Sequence, residues 1–347
     1  MDRKKTETAR DLPAGMWGKT RREGQALRGQ VTPRRKIARH VVAGAAVLAA
    51  WAGGAQATEG GGTAYFQGQK TTNLGLLPPD GFSYSELNFF YDANKLAGRY
   101  GQSFLPKYHV EVEQLGARLS YVFPEQFAGT KWGMTLQIPM LQSMFQKKSP
   151  DEVHFPVDRR QWGLGDVKFA PIQMGWSGDT AIGHIDHNVQ VYLSAPTGQY
   201  DNTYPFNVSR NYWSYWVSFG QTWQPTKDIE IGFMPSYIKN MEDTHTHYQS
   251  GDEFEVDYNI GHRISGYTWF DINGYYYKQL TGDTQFGRPV IIPHDPGAGF
   301  MGRVLGIGPQ VRFPLFGVGV IAKWQHEMLV ENRPQGDRVW LIFSGRF

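Results

Sequence analysis

From Phe82 to the C-terminus, apolar and polar residues alternate with a period of two. In Gln114–Phe123, Leu115, Ala117, Leu119, Tyr121 and Phe123 share one face, and Gln114, Gly116, Arg118 and Ser120 share the other. The alternation recurs in Trp132–Met140, Asn188–Ala195, Trp213–Phe219 and Phe254–Ile260. Successive side chains of a strand point to opposite faces, so each segment reads as a strand with one apolar and one polar side. No window carries a helical stripe with caps at both ends. About twelve such segments are present, centred near Phe89, Leu119, Leu136, Val167, Val191, Val217, Phe233, Val256, Phe270, Ile307, Val320 and Leu341. Each is long enough to cross a bilayer as a tilted strand of about 9–11 residues. The expected fold is all-β, an antiparallel up-and-down transmembrane barrel over residues 82–347.

The connections point the same way. Short ones lie at Pro124–Thr130, Ser177–Ile182, Gln224–Asp228, Arg263–Gly266 and Pro314–Phe316. They alternate with long ones at Ala93–Lys107, Gln146–Gln161, Thr197–Asn211, Asn240–Asp252 and Leu280–Phe300, and only Glu331–Asp337 breaks the order. Membrane barrels have short turns on one side and long loops on the other, an asymmetry that a soluble sandwich or propeller does not require. The last loop carries Pro289, Pro293 and Pro296 and is a candidate constriction of the mouth.

Composition removes the main rivals. The mean hydropathy is −0.47, which excludes a bundle of membrane helices. The chain has no Cys, so a disulfide scaffold, a thiolate zinc site and a Cys nucleophile are excluded. The formal net charge of +3 is the sum of two unlike parts: residues 1–57 carry +8 and residues 58–347 carry −5.

The basic part has the layout of an export signal. Arg34, Arg35, Lys36 and Arg39 precede an apolar run from Val41 to Trp51, and Ala55-Gln56-Ala57 follows with small residues at both recognition positions. That run is too short and too Ala-rich for a stable span. Residues 1–57 are expected to be removed between Ala57 and Thr58. The acidic remainder gives no reason to expect nucleic acid as a partner. At the other end, Val339, Leu341, Phe343 and Phe347 share one face and Phe347 is the last residue, the pattern of a barrel-assembly signal. The aromatic content of 14% suits girdles at the membrane interfaces, with Trp213, Trp223, Tyr237 and Trp324 among the candidates.

Residues 58–81 are rich in Gly and Pro and do not read as a strand. They are either a plug inside the lumen or a periplasmic tail, with Leu74, Leu76 and Leu77 as the residues able to pack.

Several short motifs carry a family likeness. They are Thr58-Glu59-Gly60-Gly61-Gly62-Thr63-Ala64-Tyr65, Leu76-Leu77-Pro78-Pro79-Asp80-Gly81, Trp162-Gly163-Leu164-Gly165-Asp166-Val167 and Ala195-Pro196-Thr197-Gly198-Gln199-Tyr200-Asp201. Together they resemble the bacterial outer-membrane proteins named for the meta-pathway of phenol degradation, the SphA-like proteins. The resemblance implies a transport barrel associated with degradation of aromatic compounds. It implies no catalytic residue.

On strand parity the inward face includes Arg118, Asp166, Lys168, Tyr192, Trp216, Glu255, Asp257, Trp269, Asp271, Tyr275, Arg312, Lys323 and Arg338. Mixed charges facing one lumen suit a hydrated channel, and equally suit ion pairs that fill a narrow one. Trp216, Trp269 and Tyr275 are candidate stacking surfaces for aromatic solutes. The pairs His184/His187 and His245/His247 lack a recognisable third ligand, so no metal site is expected. No G-x-S-x-G and no outward Ser/His pair point to a hydrolase. The expected function is passive passage of small aromatic or hydrophobic compounds across the outer membrane. The alternative is a barrel with a binding or structural role. No catalytic activity and no cofactor are expected. The expected partners are membrane lipid, the barrel-assembly machinery and a small-molecule solute.

Overall fold

The computed structural model describes residues 62–103, 108–147, 159–202, 207–291 and 301–347. The proposed export signal lies outside them. Every element among the described residues is a strand. They are β1 (Gly81–Ala97), β2 (Tyr108–Val122), β3 (Lys131–Lys147), β4 (Arg159–Leu164), β5 (Lys168–Thr180), β6 (Gly183–Ser194), β7 (Ser214–Thr226) and β8 (Ile229–Asn240). There follow β9 (Tyr248–Gln249), β10 (Glu253–Ser265), β11 (Thr268–Gln279), β12 (Thr284–Gln285), β13 (Arg288–Pro289), β14 (Arg303–Leu315), β15 (Val318–Glu331) and β16 (Arg333–Arg346). Chain neighbours pair antiparallel around the wall, and β16 returns to β1, with Phe89 opposite Trp340. With β4 and β5 sharing one place, the wall is a closed barrel of 12 strands. Closure removes both sheet edges, which lipid would otherwise leave unpaired.

Burial is inverted relative to a soluble protein. Leu119, Phe233, Ile272 and Leu341 face outward and are 38–43% exposed, while Asp257, Asn259, Asn273 and Gln325 face inward and are 0% exposed. The apolar face alternation of the sequence is therefore the outer wall. A sandwich core would have taken these same residues inside.

Five hairpin connections sit at the end where β1 begins and β16 ends. Phe316-Gly317 makes one of them, with φ of +48° and +82° at its two residues. Two positive φ values in a two-residue loop match the right-handed strand twist, and Gly supplies the second cheaply. The long connections lie at the opposite end. There β12 pairs with both β13 and β9, tying the loop after β11 to the loop after β8. The described part of the expected constriction is open to solvent: Phe286 is 69% and Ile291 61% exposed. Pro293 and Pro296 lie outside the described residues. The connection read as Glu331–Asp337 is tighter than its sequence suggests, because Asn332 alone separates β15 from β16.

One strand departs from the sequence reading. The segment centred on Val167 is not continuous: β4 and β5 both pair with β3, and Val167 falls between them. Pro171 has no N–H to give, and the ladder between β5 and β6 shifts register between Phe169 and Ile172. Beyond the break, Gln199 donates its backbone N–H to Leu164 at 2.9 Å, and Gln161 Oε1 accepts from the backbone N–H of Val208 at 2.8 Å. The loop after β6 thus borders β4 where no strand does.

Candidate functional site

Gly62–Asp80 threads the lumen from the long-loop end to the hairpin end, then turns into β1. At the long-loop end Thr63 bonds Glu253. At the hairpin end Lys131 Nζ lies 2.6 Å from Asp80 Oδ1. Between them the wall holds the segment chiefly by its backbone. Asp257 accepts from the Tyr65 hydroxyl at 2.6 Å and from the Gly68 N–H at 2.8 Å. Lys323 Nζ donates to the carbonyls of Gly68 and Gln69 and to the Thr71 hydroxyl, at 2.6–2.8 Å. Glu230 accepts from the Asn73 N–H at 3.0 Å, and Thr222 accepts from the Gly75 N–H at 2.8 Å. Asn188 donates to the Leu74 carbonyl at 2.6 Å. A segment with no regular structure has many backbone groups to satisfy, and burial without partners would cost about 1–3 kcal/mol for each.

Two glycines permit this approach. A Cβ on Gly220 would lie 1.9 Å from the Leu74 carbonyl oxygen, and one on Gly75 would lie 2.1 Å from that of Asp186. Leu74 itself is 0% exposed and joins an apolar cluster with Tyr65, Trp216, Met234 and Ile238.

The lumen wall carries charges of both signs. On one side, Glu230, Asp271 and Arg312 form a paired set, with Arg312 2.8 Å from Glu230 and 3.2 Å from Asp271. The Arg312 guanidinium also stacks 4.3 Å over the Trp269 ring. Nearer the long loops, Glu327 accepts from Tyr91 at 2.8 Å, from Tyr275 at 2.5 Å and from Arg338 Nε at 3.1 Å. Arg338 also donates to the Gln67 carbonyl at 3.0 Å. Glu255 is 0% exposed beside them, and neither of its oxygens meets a protein donor.

A cavity of about 450 Å³ opens between the segment and the wall, mainly along the inner faces of β1, β2, β3, β5, β6, β7 and β16. Arg118, Lys168, Tyr192 and Trp216 line it. Tyr192 and Trp216 lie parallel, with ring centroids 5.0 Å apart and 2° between planes. A second, smaller cavity of about 110 Å³ lies towards the long loops, beside Phe89, Tyr91 and Arg338.

The thirteen residues assigned to the lumen by parity therefore occupy different surroundings. Arg118, Lys168, Tyr192 and Trp216 border the large cavity. Asp257, Lys323 and Arg338 grip the segment. Trp269, Asp271 and Arg312 form the paired cluster, and Tyr275 is tied to Glu327. Asp166 holds a loop: its carboxylate accepts from Ser209 Oγ at 2.6 Å and from the backbone N–H groups of Arg210 and Gly198 at 2.6 and 3.1 Å. Residues that sequence reasoning did not single out include Thr222, Asn188, Gln310 and Gly220. Parity places their side chains inward, but only the path of residues 62–80 says which of them meet it.

Outside the lumen, His184 is bonded to Asp179 at 2.7 Å, and His247 to Glu242 at 2.7 Å. Asp92, His109 and Glu111 come together on the outer wall, with His109 Nε2 3.3 and 3.4 Å from the two carboxylates.

The fold resembles a solved outer membrane channel from Pseudomonas putida F1, at 14% identity and a TM-score of 0.66 over 80% of this chain and 99% of that one. The P. putida toluene transporter TodX aligns at 10% identity and a TM-score of 0.40, over 80% and 93% of the two chains. The beta domain of the Bordetella autotransporter BrkA aligns at 9% identity and a TM-score of 0.44, over 78% and 100%. No curated protein matches the sequence. The family described as the putative MetA-pathway of phenol degradation matches residues 93–343, which takes in all the wall strands after the first part of β1. With a closed barrel and most of its length inside that match, the chain belongs to this family.

Proposed function

We propose that the protein is an outer-membrane channel that passes small aromatic or hydrophobic compounds by diffusion. The observation that carries this reading is the cavity of about 450 Å³ left beside the internal segment, with a stacked Tyr192–Trp216 pair on its wall. Pockets of roughly 300–1,000 Å³ suit single small molecules, and flat aromatic rings are suited to stacking against other rings. The family's link to phenol degradation and the channel fold agree with it. In this reading residues 1–57 direct export and are removed, the hairpin turns face the periplasm, and the long loops face outward. Phe347, tilted against Tyr84 with ring centroids 5.3 Å apart at the barrel's end, is read by the assembly machinery. The chain works as a conduit rather than as a catalyst.

The internal segment also favours a second reading, a barrel closed for good. Uptake separates the two. A strain lacking the gene should take up toluene or phenol more slowly, and the gene should restore the rate. Unchanged uptake together with no flux through the purified protein in liposomes favours the closed barrel.

A further inference from the structure

The large cavity has an unusual charge balance. Its charged lining residues are Lys70, Arg118, Lys168 and Arg346, and no Asp or Glu lines it among the described residues. Glu230, Asp257, Asp271 and Glu327 are occupied with Arg312, Arg338 and the segment, and on the cavity side the Asp166 and Asp186 carboxylates are taken by Ser209, Arg210 and Gly198 and by Ser177. The cavity's cations are less fully matched. Arg118 gives one nitrogen to Gln69 Oε1 at 2.7 Å, while its Nε meets no protein acceptor. Lys168 Nζ donates to the Asp166 carbonyl at 3.4 Å and lies 4.3 Å from the Phe66 ring, while the nearby Asp166 carboxylate is committed to Ser209, Arg210 and Gly198. Lys70 Nζ reaches the Leu74 carbonyl of its own segment, at 3.5 Å.

The neutral donors point the same way. Gln137 and Trp216 are each 3% exposed and line the cavity, and neither Gln137 Nε2 nor Trp216 Nε1 meets a protein acceptor. Gln69 Nε2 is a third. Buried N–H groups need acceptors, and cations grouped without a carboxylate need an anion. The Trp216 ring that carries one of these donors is also half of the stacked pair. An acceptor-rich anionic end and a flat apolar end are thus both provided for within one cavity.

We infer that this cavity is a binding site for aromatic carboxylates, held by Arg118, Lys70 and Lys168 at the carboxylate and by Tyr192 and Trp216 at the ring. The inference rests on the channel reading for its role in transport, but the site itself stands on the lining residues. It makes the channel selective for the acidic members of the aromatic compounds, where size and apolarity alone would favour neutral ones. A guanidinium can bind a carboxylate through two parallel hydrogen bonds, which fixes the ring's direction as well as its charge.

The test uses the full-length protein, purified in detergent and reconstituted in liposomes, with benzoate, acetate and benzyl alcohol as probes. Calorimetric titration should show benzoate binding at least tenfold tighter than acetate or benzyl alcohol. Arg118→Met should weaken benzoate binding by roughly 10- to 100-fold, the effect of losing a charged hydrogen bond. Arg118→Lys should recover part of it, and heat-modifiable migration on gels confirms that each variant is folded. Equal binding of benzoate and benzyl alcohol, or of benzoate and acetate, overturns the proposal, as does undiminished benzoate binding in folded Arg118→Met. Benzoate binding with no flux of any probe supports the site and overturns the channel reading. Equal flux and equal binding of benzoate and benzyl alcohol overturns the site and leaves the channel.

Discussion

The Tyr65 hydroxyl donates to Asp257 Oδ2 at 2.6 Å inside the barrel, across 192 positions of sequence. The same carboxylate takes the Gly68 N–H through its other oxygen. One wall residue therefore fixes two points of the internal segment, and Lys323 holds the carbonyl of the same Gly68. A bond to a carboxylate is stronger than one between neutral groups, and here it has little competition from bulk water.

Asp257→Asn and Tyr65→Phe should each loosen the segment while leaving the wall intact. Each removes about 1.5–3 kcal/mol of charged hydrogen bonding, which corresponds to a rise in segment opening of roughly 10- to 100-fold. The chain has no Cys, so Leu74→Cys gives a single thiol at a fully buried point of the segment. Its labelling by a water-soluble thiol reagent should be slow alone and faster by that factor in either double variant. Glu255→Gln, which alters a neighbouring carboxylate that makes no protein hydrogen bond, should leave the rate unchanged.

Gly220→Val should expel the segment locally. Its Cβ would sit 1.9 Å from the Leu74 carbonyl oxygen, a backbone atom, with Asn188 Oδ1 a further contact at 2.8 Å. Overpacking of this kind costs about 1–3 kcal/mol or more. In planar bilayers the variant should conduct more than the parent protein, and its Leu74→Cys thiol should label rapidly. Conductance and labelling both at parental levels would falsify the claim that the segment lies against β7.

Much of this barrel was legible in the sequence because lipid imposes a simple code. Leu115, Leu119 and Phe233 had to be apolar, Asn188, Ser120 and Glu230 had to be satisfied inside, and the two requirements alternate along every strand. The break at Val167 was not legible, because the Asp166 carboxylate acts through a loop 43 and 44 positions away. The internal segment was harder still. Nothing periodic marks Gly62–Asp80, since its order comes from Asp257, Lys323, Glu230 and Thr222, which parity lists as inward without saying what they hold. The grouping of Lys70, Arg118, Lys168 and Arg346 around one cavity depends on strand neighbours around a closed wall, and a linear sequence does not display it.

Arg312→Met should destabilise the whole barrel. Arg312 lies between Glu230 and Asp271, which are 1% and 0% exposed at their side chains. Removing the shared cation leaves two buried carboxylates facing each other, at a cost of about 3–5 kcal/mol. The urea midpoint for loss of heat-modifiable migration should fall clearly below the parental value. Replacing all three residues together, as Arg312→Met with Glu230→Gln and Asp271→Asn, should recover much of the loss, because the uncompensated charges go with the cation.

Asp166→Ala should free the loop after β6 without opening the barrel. The carboxylate accepts from Ser209, Arg210 and Gly198, so one side chain holds both arms of a long loop against the upper edge of β4. That edge has no strand on its far side, and an unpaired edge depends on whatever covers it. With three accepted bonds lost, the loop should become open to added protease on intact cells, with new cleavage between residues 195 and 212. Heat-modifiable migration should stay as in the parent, because the ladders β3–β4 and β5–β6 do not use Asp166. Cleavage at the hairpin turns instead would reverse the assigned orientation, and parental resistance throughout would show that the loop is held by contacts other than this carboxylate.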